Sequence, residues 1–125
     1  MPLVTHILSF GYDRTLMPLR SMVLRGSRYV VKEAYSLDEA FRRAKSDAID
    51  LLLICHTVPE EEQKKLISLV RSVRRLMPIL CITKQESAYS ADGCVAVTSS
   101  PVALLQAIQS AAHRGVLTNW DFQFK

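Results

Sequence analysis

Ile49-Asp50-Leu51-Leu52-Leu53-Ile54-Cys55-His56-Thr57-Val58-Pro59 carries the strongest structural signal in the chain. Leu51 to Ile54 are apolar without a break, where a strand with one solvated face would alternate apolar and polar residues. A short unbroken run of this kind suits a strand covered on both faces, as in a parallel sheet flanked by helices. Cys55 follows directly, at the C-terminal end of that strand. Open α/β sheets place their ligands beyond such ends.

On either side, strands and helices alternate. Residues 4–10 are predicted as a first strand, and residues 15–24 as a helix with Leu16, Leu19 and Val23 on one face. Pro18 is tolerable there because it falls in the first turn. Residues 29–31 read as a second strand. Ser36 and Glu39 have the spacing of a capping box, opening a helix that buries Leu37, Ala40, Phe41 and Ala44. Pro59 followed by Glu60, Glu61 and Glu62 marks another helix start, since negative charge is favoured at the positive end of the helix dipole. Its expected inner face is Leu66, Leu69 or Val70, and Val73. Residues 79–83 and 95–97 read as further strands. Ser100 and Pro101 supply an N-cap and a first-turn Pro for a last helix with Leu104, Leu105 and Ile108 inside. Five alternations predict an α/β fold, a doubly wound, flavodoxin-like five-stranded parallel sheet.

The chain has 125 residues, 49% of them hydrophobic, enough for one domain with its own core. No apolar run approaches the ~18–20 residues of a membrane span. The first ten residues lack a basic segment ahead of a long apolar stretch, so a cytoplasmic location without membrane association is expected. Cys55, Cys81 and Cys94 are odd in number and lie in apolar segments. That suits buried thiols in a reducing compartment, and no two share the CxxC spacing of a zinc site. The net charge is +4, but the basic residues are spread over several helices without interleaved aromatics. A nucleic-acid surface is therefore not expected.

The order Asp50, four apolar residues, Cys55, Pro59 resembles the third strand of bacterial response-regulator receiver domains. There the Cys55 place holds the phospho-acceptor Asp. The resemblance runs without gaps from Ile7 through Pro59 and more loosely beyond. It implies a receiver fold whose fourth helix is shortened or missing, because the chain between Thr83 and Gly93 is several residues short. It also implies that the acidic pair holding Mg²⁺ falls at Gly11 and Tyr12, with Asp13 at a place sometimes acidic. Thr83 matches the residue that binds the phosphoryl group. The family's Lys has no counterpart, since no Lys or Arg occurs between Gly93 and His113, where Ser100 and Pro101 stand. The aromatic switch residue is matched by Val97 or another small residue.

Phosphoryl transfer needs an anionic oxygen nucleophile, a divalent cation and a completing positive charge, and Mg²⁺ needs oxygen ligands. Gly11, Tyr12, Asp13, Cys55, Thr83 and Ser100 therefore read as a vacated phospho-acceptor pocket with no metal, cofactor or catalytic residue. The expected function is that of a non-phosphorylated pseudo-receiver, a non-enzymatic protein-interaction module in bacterial two-component-type signalling. Its partner would be a histidine kinase, an output protein or a second copy. A thiol-based sensor at Cys55, a conventional phosphorelay receiver and a small-ligand site in the vacated pocket stay open. Cys55 is expected to fill space as an inert thiol, with His56 turned to the opposite face. The Tyr12 ring is expected to plug the same cavity, its hydroxyl near Thr83.

Residues 1–114 are expected as the domain and 115–125 as an aromatic tail packing on it or on a partner. Trp120, Phe122 and Phe124 recur at period 2, like one face of a strand. Together with Val102, Leu105 and Gln106 they form the expected interaction surface, in a homodimer or a constitutive partner complex. His6 reads as a strand-edge residue, and His113 with Arg114 suits the negative end of the last helix.

Overall fold

Five parallel strands line up in the order β2-β1-β3-β4-β5. They are β1 (His6–Phe10), β2 (Val30–Ala34), β3 (Leu51–Ile54), β4 (Ile79–Thr83) and β5 (Gly93–Ala96). Between them run α1 (Leu16–Gly26), α2 (Leu37–Ser46) and α3 (Glu60–Val73). The computed structural model describes residues 6–83, 93–96, 102 and 104–109, the last six of them helical. The chain winds from β1 outward to β2, then crosses back to β3 on the other side of β1. That makes the β1/β3 boundary the topological switch point of the sheet.

Each strand feeds two cores, because successive side chains point to opposite faces. Leu8, Phe10, Leu52, Ile54, Ile79 and Cys81 pack with Ala40, Ala44, Leu66, Ile67 and Val70 of α2 and α3. On the other face Ile7, Leu51, Leu53, Cys55, Leu80 and Ile82 pack with Met17 and Leu24 of α1 and with Leu104 and Ile108. All four β3 residues are 0% exposed, as the unbroken apolar run implies. Burial of that completeness contributes about 1.5–3 kcal/mol per Leu or Ile side chain.

The α1 stripe differs from expectation. Met17, Ser21 and Leu24 face the sheet, while Leu19 is 53% exposed. Ser21 is drawn inward because its hydroxyl donates to Glu33 on β2. In α3 the buried residues are Gln63, Leu66, Ile67 and Val70, and Val73 is exposed. The second strand extends to Ala34 and the fifth begins at Gly93, two residues ahead of the expected start. Ser36 caps α2 as predicted, its Oγ accepting from the Glu39 amide at 3.1 Å. The Glu39 carboxylate reaches past it and accepts from the Tyr35 amide at 2.9 Å. Residues 84–92, which bear on the fourth helix, and the Ser100–Pro101 cap lie outside the described residues.

Candidate functional site

The ladder between β1 and β3 pairs Phe10 with Ile54. One step further Gly11 stands opposite Cys55, whose amide donates to the Phe10 carbonyl at 2.8 Å. Residues in register share a face, so any side chain at position 11 would point at Cys55. A Cβ built on Gly11 would lie 2.8 Å from Cys55 Cβ, 3.0 Å from Met17 Sδ and 3.2 Å from Thr57 Oγ1. Glycine is the residue this packing accepts. The Cys55 thiol is 3.5 Å from Met17 Sδ, and the Ser9 hydroxyl lies 3.6 Å from Met17 Sδ and 3.8 Å from Cys55 Sγ. Ser9, Met17 and Cys55 are all 0% exposed. Sulfur therefore fills the space at the switch point.

Around this plug the polar side chains are committed to structure. Asp13 accepts from the amides of Thr15 and Leu16 at 2.8 and 2.9 Å, the pattern of a helix N-cap. Those two bonds hold its carboxyl below the usual carboxylate range. Tyr12 does not enter the cavity. It is 38% exposed, its ring meets Phe10 edge-on at 5.5 Å, and its hydroxyl donates to Glu62 in the first turn of α3. Desolvation and the Glu62 carboxylate push its pKa up to about 12. The expected hydroxyl partner, Thr83, is thus replaced by Glu62. A ring turned inward would meet the space that Met17 and Cys55 already occupy.

Arg20 is the feature that the sequence did not disclose. Its Nη2 lies 3.4 Å from His56 Nδ1, and its positive charge acts on both Cys55 and Asp13. Its Nη1 is buried without a hydrogen-bond partner among the described residues. Even so, burial pushes the Cys55 thiol up, and the pull of Arg20 does not reverse it. Once Met17-Ser21-Leu24 is known as the inner stripe, Arg20, three residues after Met17, falls beside the strand tips. The expected Leu16-Leu19-Val23 stripe hid it. Thr57 was also missed. Its Oγ1 accepts from the Tyr12 amide at 2.8 Å and fastens the two loops together.

No protein-family model and no curated protein matches the chain. Solved structures do. A CheY-like response regulator receiver domain protein from Methanospirillum hungatei aligns at a TM-score of 0.81 and 18% identity, over 93% of this chain and 99% of that one. One from Clostridium thermocellum aligns at 0.79 and 18%, over 92% and 99%. The chemotaxis response regulator CheY4 of Vibrio cholerae aligns at 0.77 and 22%, over 87% and 99%. The chain has the receiver fold.

In a receiver fold the strand tips around Gly11 and Cys55 are where a magnesium ion would be sought, and the donors here do not fit one. Mg²⁺ takes oxygen ligands in near-octahedral geometry. Gly11 offers no side-chain oxygen, Cys55 offers a buried thiol, and the Tyr12 hydroxyl is turned to Glu62. Asp13 is engaged in capping α1. Among the described residues no three His, Cys, Asp or Glu side chains gather as metal ligands. Thr83 ends β4 in register with Ala96, and its side chain is outside those described. Ser100 also lies outside the described residues.

Of the expected interaction surface, Val102 is 61% exposed, Gln106 is exposed and Leu105 half-buried. Trp120, Phe122, Phe124, His113 and the tail 115–125 lie outside the described residues. Leu19 and Met22, 53% and 66% exposed, add apolar surface on the outside of α1. No helix among the described residues is long and apolar enough to cross a membrane.

Proposed function

We propose that this chain is a pseudo-receiver, a non-enzymatic protein-interaction module of bacterial two-component-type signalling that works in the cytoplasm without taking phosphate. The observation that supports it is the contact of Gly11 with Cys55 and Met17, which leaves no room for a carboxylate at position 11 and a buried thiol where an acceptor carboxylate would stand. One missing group could be replaced from a neighbour, but here the neighbours themselves fill the site. The chain is incubated with Mg²⁺ and acetyl phosphate and weighed intact, and Mg²⁺ is titrated with beryllofluoride while tyrosine fluorescence is followed. No mass change and no saturable signal are expected. A stable gain of one phosphoryl group would return the chain to the conventional phosphorelay receivers.

The partner in this reading is a histidine kinase, an output protein or a second copy, met through Val102, Leu105 and Gln106 together with Trp120, Phe122 and Phe124. Exposure of Val102 supports that choice of surface. Sedimentation of the full chain should give a dimer or a complex with the partner, and a chain ending at Arg114 should give a monomer. Equal monomers of equal stability would remove the surface from the proposal. A thiol sensor at Cys55 is disfavoured by its complete burial and raised pKa, since the thiolate is the reactive form.

A further inference from the structure

Where β3 and β4 begin, the end of α3 and the loop after it wall an open groove of about 620 Å³. Ile49 and Met77 are buried beneath it, and Val73, Leu76 and Arg75 stand exposed along it. The loop is fixed by its own arginines. Arg71 donates to the Arg75 and Met77 carbonyls at 3.1 and 2.7 Å, and Arg74 donates to the Ala44 and Asp47 carbonyls at 3.2 and 3.4 Å. The Met77 amide closes the turn onto the Arg74 carbonyl at 3.2 Å. A groove already in shape spares its occupant the entropy of ordering it.

Charge says what that occupant is. Arg74 and Arg75 line the groove against one carboxylate, Asp50, which accepts from the His6 amide and lies 3.5 Å from His6 Nδ1. The Arg75 guanidinium makes no ion pair among the described residues. A cation beside exposed Val73 and Leu76 complements an apolar group that has an anion next to it. The groove is open on one side, whereas a small molecule binds where most of its surface is covered. An apolar side chain anchored on a peptide suits it better.

We propose that this groove docks an acidic segment of a partner protein, seating a leucine or phenylalanine side chain over Ile49 and Met77 and against Val73 and Leu76, with a neighbouring carboxylate on Arg75. The proposal goes beyond the pseudo-receiver reading, because the groove lies at the other end of the strands from Gly11 and Cys55 and does not depend on whether the chain takes phosphate.

The test titrates the full chain with a fluorescein-labelled peptide that has leucine and phenylalanine at its centre and glutamates on both sides, followed by anisotropy and by amide NMR shifts. Saturable binding is expected, weakened by added salt, with the amides of Val73, Arg75 and Leu76 moving most. Arg75→Glu should weaken it about tenfold and Leu76→Ser about fivefold, both chains keeping their circular dichroism, since each removes one part of the match. Arg28→Glu, which reverses an exposed charge beside β2 on the far side of β1, should leave the affinity unchanged. No saturation by millimolar peptide, equal weakening by Arg28→Glu, or equal binding of a peptide with lysines in place of the glutamates would each overturn the proposal. So would binding of decanoate in place of the peptide, or self-association of the free chain that Arg75→Glu abolishes, which would give the groove to a fatty acid or to a second copy.

Discussion

The two faces of the sheet are built from different materials. Against α2 and α3 the core is mostly hydrocarbon, with Leu8, Phe10, Leu52, Ile54, Leu66, Ile67 and Val70 closing over alanines of α2 and only Met77 and Cys81 bringing sulfur among its described residues. Against α1, beside the strand tips, the contacts run through sulfur and hydroxyl groups, with Ser9, Met17 and Cys55 in mutual reach. The first face is generic and would serve any doubly wound domain. The second is fitted to one missing side chain, since Gly11 is what allows Cys55 and Met17 to approach. Generic packing and close-fitted packing thus lie on opposite sides of the same strands.

That contrast can be broken by measurement. On the hydrocarbon face Leu66→Ala should cost about 3–4 kcal/mol in urea unfolding, from lost burial plus a cavity that rigid neighbours cannot close. At the strand tips Gly11→Ala should cost about 2–3 kcal/mol through overpacking, and less by about 1 kcal/mol when Met17 is also Ala. Additive costs would mean that Met17 is not part of the plug. Cys55→Ser should cost about 1–2 kcal/mol, as a small hydrophobe becomes a buried hydroxyl in a site packed by Ser9 and Met17. Rapid stoichiometric labelling of Cys55 in the folded chain would contradict that account.

The smallest effect concerns pH. Tyr12 is raised from 10.0 to about 12, first by desolvation and then by Glu62, so the folded state holds its proton more tightly than the unfolded state does. Its contribution is fully present below pH 10 and is lost as pH rises toward 12. Tyr12→Phe should flatten that alkaline decline in unfolding titrations, with little change at neutral pH because the hydroxyl is partly exposed. An unchanged decline would mean that the contact with Glu62 is not populated.

Much of the fold was legible because its signals are local. The run Leu51–Ile54 announced a doubly covered strand, Ser36 and Glu39 announced a helix start, and both stand where expected. The site was legible only in outline. Gly11 and Cys55 could be placed by resemblance, but their direct contact depends on strand register, which no single segment encodes. Tyr12 was misplaced because its hydroxyl partner, Glu62, lies fifty positions away on another element. The α1 stripe was misread because two inward residues, Met17 and Ser21, are chosen by what they touch across the sheet. Hydrophobic periodicity alone ranks Leu19 above Ser21.

Asp50 has a consequence at a distance. Its carboxylate accepts from the His6 amide at 2.9 Å while its own amide donates to the His6 carbonyl at 2.8 Å, a two-way clasp where β1 and β3 begin. Five residues on, each strand delivers Gly11 and Cys55 to the same level. Sliding one strand by a single residue would turn Cys55 toward the α2–α3 face and leave Met17 facing a void. The clasp at the foot of the sheet is therefore the index mark for the plug at its head, and loosening Asp50 would blur a contact on the opposite edge of the molecule.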